Sequence, residues 1–124
     1  MIEFLLNDRR IDVETAEQLG LALDAADAEP LFDLQVTVPG GPMIAMLRNG
    51  HDAWLMYLRE AGDRGFRSQS EASREGIANY TLSNGQVDEY PLSWCLDVEQ
   101  CYKAIASFCV NDGAQPKAVN WVES

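Results

Sequence analysis

Between Leu31 and Arg59 the chain alternates apolar and polar residues through three successive runs, separated by turns only a few residues long. In Leu31–Val38, Phe32, Leu34, Val36 and Val38 share one face, while Asp33, Gln35 and Thr37 share the other. A period of two is the signature of a half-buried strand. Pro39-Gly40-Gly41-Pro42 is a turn. Met43–Arg48 reads as a second strand, and Asn49-Gly50 opens another turn. Ala53–Arg59 is the third strand, with Trp54, Met56 and Leu58 on a common face. Turns this short join antiparallel neighbours, whereas parallel ones need a long crossover. An antiparallel meander is therefore the frame that the rest of the chain must fit.

The flanking segments fill in around it. Ile2–Leu6 is a first strand or a loose arm. Asp12 is a good N-cap for a helix through Ala26. On that helix Leu19, Ala22, Leu23 and Ala26 face one way and Glu14, Glu17 and Asp24 the other. The acidic stripe is either a solvated face or a docking stripe. Glu29-Pro30 ends the helix, because proline restricts the residue before it. Glu60–Asn79 breaks the pattern. It holds Gly62, Gly65, Gly76, Ser68, Ser70 and Ser73, and mixes Arg64, Arg67 and Arg74 with Glu60, Asp63, Glu71 and Glu75. A loop of that length is functional or disordered, and Phe66 within it reads as an anchor into the core. Tyr80–Ser83 and Gln86–Tyr90 around Asn84-Gly85 form a hairpin. Asp97 caps a helix through Asn111, with Gln100 at the capping-box position. Val98, Cys101, Ile105 and Phe108 make its core stripe. Gly113 is the helix stop, and Val119–Val122 adds a last strand. Residues 1–124 thus read as a single domain of the α+β class. It has a mostly antiparallel sheet, meander plus hairpin, of roughly four to six strands, packed by two helices.

The chemistry-bearing residues are sparse. His51, the single histidine, lies in the turn Asn49-Gly50-His51-Asp52, with no Ser or Cys beside it to act as a nucleophile. Cys95, Cys101 and Cys109 are an odd count without a CxxC spacing, and read as reduced, mostly buried thiols. Asp88 and Glu89 are adjacent, so in a strand their carboxylates point to opposite faces and form no dyad. There is no GxGxxG and no P-loop. Trp54, Trp94 and Trp121 read as core or rim packing rather than a ligand cage. The expectation is a protein without catalysis, cofactor or metal.

Charge narrows the choice of partner. The formal net charge is −11, from 9 basic and 20 acidic residues. Phosphates need Lys and Arg, so nucleic acid is disfavoured as a direct partner. What remains is plain solubility or a basic protein partner. From Ile11 to Leu47 there is no Lys or Arg, while Asp12, Glu14, Glu17, Asp24, Asp27, Glu29 and Asp33 are all acidic. No apolar run approaches the roughly 20 residues that cross a membrane. The N-terminal Met1-Ile2-Glu3 carries an acid where a signal peptide carries Lys or Arg, so the expected location is cytoplasmic.

The C-terminal third adds an ordered set of features. Tyr80, Asn84-Gly85, Glu89 followed by Pro91, the helix from Val98 to Phe108, and then Gly113, Pro116 and Val119-Asn120-Trp121 resemble the C-terminal half of the immunity protein 1 family. The resemblance covers residues 80–121. The preceding meander fits in order rather than by specific residues. Trp94 and Cys95 depart from the simpler residues expected there, and the pattern does not demand an acidic first helix. The resemblance implies a small α+β protein encoded beside a bacterial polymorphic toxin, which it binds in the producing cell so as to occlude the active site. Toxins associated with such families include nucleic-acid deaminases, the first expectation here, and nucleases, the second. A toxin that grips nucleic acid needs a basic groove, and an acidic chain suits one. The expected state is a monomer when free and a heterodimer with the toxin.

Two acidic surfaces compete for that role. One is the helix stripe of Glu14, Glu17 and Asp24. The other, favoured one joins the loop to the hairpin through Asp63, Arg67, Glu71, Glu75, Asp88 and Glu89, with Trp94 as aromatic anchor. The competing function is a small-ligand or regulatory binding module that uses the curved sheet face and Trp54.

Overall fold

A computed structural model describes residues 2–124 and shows an α+β fold with two α-helices and ten strands among them. The meander lies at its centre. Strands β3 (Leu31–Thr37), β4 (Met43–Asn49) and β5 (Asp52–Leu58) pair antiparallel in unbroken register, with Leu34 opposite Met46 and Leu47 opposite Trp54. Ile2–Leu6 is a strand, β1, rather than an arm, and it pairs with β3. Its other edge carries β2 (Arg9–Val13).

This second strand changes the start of the first helix. Asp12, expected as its N-cap, is an exposed residue of β2. The cap is Thr15, and α1 runs Ala16–Asp27. Thr15 Oγ1 accepts from Gln18 N at 3.1 Å, and Gln18 Oε1 accepts from Thr15 N at 3.2 Å and Glu14 N at 2.7 Å. Two orphan helix donors are thus satisfied reciprocally. The helix at the other end, α2 (Val98–Val110), is capped by Asp97 as expected, its carboxylate accepting from Gln100 N at 2.8 Å.

The expected loop Glu60–Asn79 is largely structured. Phe66–Gln69 form β6, which pairs with β5 on one side and with β10 (Asn120–Glu123) on the other. Strand β7 (Ile77–Thr81) already begins within the expected loop. Phe66 packs against the core, with the Arg59 guanidinium 5.2 Å from its ring centre. The short β9 (Leu96–Asp97) pairs with the other end of β5, at Asp52 and Ala53. The main sheet thus reads β10-β6-β5-β4-β3-β1-β2, with β9 beside β5, eight strands rather than the four to six expected.

Both helices pack on one face of this sheet. Phe4, Leu6, Leu34, Val36, Ile44, Met46, Leu55 and Tyr57 meet Leu19, Ala22 and Ala26 of α1 and Cys101, Ala104, Ile105 and Phe108 of α2. Tyr57 Oη donates to Gly113 O at 2.8 Å and ties the end of α2 to the sheet.

The opposite face carries a separate two-stranded sheet, β7 paired with β8 (Val87–Pro91). Its turn differs from a two-residue Asn-Gly turn. Gly85 N donates to Leu82 O at 2.9 Å and Leu82 N to Gln86 O at 2.7 Å, so the loop is Ser83-Asn84-Gly85. Gly85 alone takes the left-handed conformation (φ 87°) that closes a three-residue loop.

Candidate functional site

The hairpin is fastened across the row Asp33–Leu47–Trp54 of the main sheet. Tyr90 stacks flat on Trp54, with ring centres 4.4 Å apart and planes within 4°. At the tip, Ser83 N donates to Asp33 Oδ2 at 3.2 Å, and midway along β7 Asn49 Nδ2 donates to Asn79 O at 2.7 Å. Tyr80 Oη donates to Cys95 Sγ at 2.9 Å, and burial pushes the Tyr80 phenol and the Cys95 thiol upward from their ordinary ranges. Cys95 is therefore a packed thiol rather than a poised nucleophile. Asp33, assigned to the solvent face of its strand, is 8% exposed because the hairpin covers that face. Trp54 is only 6% exposed and lies beneath Tyr90, so it offers no open platform to a small ligand.

Alternation along β7 and β8 sorts the expected site residues. Ala78, Tyr80, Asp88 and Tyr90 point toward the main sheet; Ile77, Asn79, Thr81, Val87, Glu89 and Pro91 point away from it. Asp88 and Glu89 therefore lie on opposite faces of the hairpin. Asp88 accepts from Gln86 Nε2 at 2.7 Å and Tyr90 Oη at 3.2 Å. Burial first, and Asp88 second, raise the Tyr90 phenol above its ordinary range. Glu89 is exposed on the outward face.

Arg67 and Trp94 come together at the root of the hairpin. The Arg67 guanidinium lies 3.9 Å from the centre of the Trp94 ring, and Nη1 donates to Gln69 Oε1 at 2.8 Å. Burial moves the guanidinium below its ordinary range. Trp94 in turn sits 5.8 Å from Tyr90. Arg67, Trp94, Tyr90 and Trp54 thus form one continuous stack from rim to sheet.

Asp63 lies elsewhere, in the turn between β5 and β6. Its Oδ2 accepts from Arg59 N and Nε, both at 3.0 Å, and Oδ1 from Arg59 Nη2 at 2.9 Å. Those bonds hold the carboxyl far below the usual carboxylate range. Glu71 and Glu75 are exposed on the segment before β7. Glu71 and Asp97 border a cavity of about 300 Å³ that also meets Arg74, whose guanidinium pairs with Asp52 at 2.9 Å.

Part of the acidic stretch between Ile11 and Leu47 is neutralised by its own chain, but among the described residues the rival helix stripe is not. Asp27 pairs with Arg48 at 3.0 Å, Glu29 with Arg9 at 3.3 Å, and Asp12 with Arg10 at 3.1 Å. Of the seven acids between Ile11 and Leu47, Glu14, Glu17 and Asp24 remain outside these pairs and outside the hairpin contact.

The arrangement is a scaffold that displays surface. A sheet backed by helices carries on its free face a fixed hairpin with one carboxylate, Glu89, on its outer side. Among the described residues no helix is long and apolar enough to cross a membrane. The family model described as Immunity protein Imm1 matches residues 7–123. The chain belongs to that family, and its role is that of an immunity protein against a bacterial toxin. No curated protein matches it.

Sequence reasoning missed Ile77 and Val87. Both are outward-facing and well exposed; the signal for Ile77 was the alternation Ile77-Ala78-Asn79 leading into Tyr80, the first three residues of which read there as loop, while Val87 falls within the expected hairpin without a role.

Proposed function

We propose that this chain neutralises a cognate toxin acting on nucleic acid, a deaminase first and a nuclease second, by lying across its active site. The family match over residues 7–123, on a chain of net charge −11, carries this reading. A toxin that handles nucleic acid must expose Lys and Arg where the phosphates run. An acidic protein that fills that groove excludes the substrate without chemistry of its own. The chain works as one domain in the cytoplasm, monomeric when free and heterodimeric with the toxin. Glu71, Glu75 and Glu89 face the toxin; Arg67, Trp94 and Asp88 hold the hairpin in place; Asp63 shapes the neighbouring turn.

Co-expression with the toxin-like reading frame beside its gene is the test. The expected result is restored growth and a co-purifying complex. Neither growth nor complex would remove the immunity reading for that pair. Sequencing DNA and RNA from cells given the toxin alone then separates the two chemistries. Transition mutations point to a base deaminase, and strand breaks without base changes point to a nuclease.

A further inference from the structure

The outward face of the hairpin is built from three cross-strand pairs: Ile77 with Pro91, Asn79 with Glu89, and Thr81 with Val87. Glu89 occupies the middle pair. On its own strand it is flanked by Val87 and Pro91, and diagonally by Ile77 and Thr81. A solvent-facing strand surface ordinarily carries polar residues, yet Ile77 is 61% and Val87 57% exposed. Among the described residues the ion pairs use Arg9, Arg10, Arg48, Arg59 and Arg74, and none reaches Glu89. The chain has no Lys or Arg between Arg74 and Lys103, a stretch that includes the whole hairpin.

A carboxylate flanked on its own strand by Val87 and Pro91 and diagonally by Ile77, with Asn79 opposite, has a specific use. In water it is solvated and contributes little. When a partner covers the surrounding apolar rim, water leaves, and the charge must find a cation or pay for its desolvation. Such a patch rewards a partner that brings a guanidinium or ammonium to its centre and apolar surface to its rim. It penalises one that does not. Arginine fits best, because its planar fork meets a carboxylate at two points and its stem lies on aliphatic surface. The rest of the hairpin is braced for presentation, by the Tyr90–Trp54 stack beneath and the Ser83–Asp33 bond at the tip.

We propose that this outward face, with Glu89 as anchor and Ile77, Val87 and Pro91 as apolar rim, docks onto a cationic side chain in the toxin's substrate groove. Glu89 takes the place that a substrate phosphate would hold. The inference rests on the immunity reading and adds the face and the chemistry of contact.

The test uses the full chain and the toxin domain from the adjacent reading frame, inactivated by substitution, with rates measured by surface plasmon resonance. Glu89→Lys is expected to raise Kd at least about thirtyfold, the scale of a hot-spot residue. Ile77→Thr with Val87→Thr keeps β-branched residues in both strands. It is expected to raise koff about tenfold with kon little changed, as loss of buried rim contacts should. Glu17→Lys on α1 makes the same charge change away from the hairpin, and is expected to move Kd less than about threefold. Circular dichroism of each variant should match wild type. If wild type binds but Glu89→Lys acts no more strongly than Glu17→Lys, the docking face is misassigned. An unchanged koff in the double threonine variant also overturns it. If wild type itself does not bind, the immunity pairing fails and the docking face fails with it.

Discussion

Asp63 shows what a single residue's surroundings decide. By its charge it is one more acid on an acidic protein. In the fold its side chain is 9% exposed and takes three bonds from Arg59, two from the side chain and one from the backbone. Its folded-state pKa is depressed, chiefly by the side-chain bond and then by the backbone bond. Such a group adds stability that is complete above the unfolded carboxyl pKa, about 4, and is lost as pH falls toward the folded value. Asp63→Asn is therefore expected to lower the urea midpoint by a constant amount between about pH 5 and 7, and by progressively less below about pH 4. A deficit that stays the same down to pH 3 would show that the charge at Asp63 contributes nothing. This distinction was not legible in the sequence. Asp63 and Glu75 look alike along the chain, and only the return of β6 beside β5 turns one into a brace and leaves the other exposed. Asp33 carries the same lesson. Alternation placed it correctly opposite Phe32 and Leu34, but could not show that a hairpin fifty residues later would cover it.

Elements were legible where their signal is local and strong. The meander repeats period two over three runs, and α2 has both a capping aspartate and a core stripe, so these appear where they were expected. The start of α1 was misplaced: Asp12 was the expected cap, and Thr15, three residues on, was passed over. β2 decides between them: once Arg9–Val13 pair with β1, Asp12 has strand geometry and the cap passes to Thr15. β6 was missed for another reason. Phe-Arg-Ser-Gln carries little strand propensity, and its stability comes from being sandwiched between β5 and β10, with Ser68 Oγ accepting from Leu55 N at 3.1 Å and donating to Trp94 O at 2.7 Å. The expected cap and the observed one separate in a denaturation experiment. Thr15→Ala is expected to cost about 1 kcal/mol, since it removes a capping box. Asp12→Ala, on an exposed strand position, is expected to stay within about 0.5 kcal/mol of wild type. Equal losses at the two positions would mean that the helix start is shared between them.

At the scale of the whole molecule, the net charge was legible from composition, but its usable part was not. Arg9, Arg10 and Arg48 fold back onto Glu29, Asp12 and Asp27, and so quench three of the seven acids between Ile11 and Leu47, leaving Glu14, Glu17 and Asp24 outside any ion pair among the described residues. The hairpin, with fewer acids, keeps Glu89 uncompensated as well, at the centre of a partly apolar face. Two roles for charge follow, and they separate kinetically. The overall −11 acts at a distance, pulling a basic partner toward the chain before contact. That pull is screened within about 10 Å at 0.1 M salt and about 3 Å at 1 M. Glu89 acts only in contact, under a rim that excludes water and salt alike. Raising NaCl from about 20 to 500 mM should therefore lower kon for the toxin at least about tenfold, while koff moves less than about threefold. The slope of log kon against ionic strength should flatten for Glu14→Gln with Glu17→Gln, which reduces net charge without touching the hairpin, and koff should remain that of wild type. If koff carries the salt dependence instead, the contact itself is made of exposed ion pairs. A rim-protected anchor could not then be what holds the complex together.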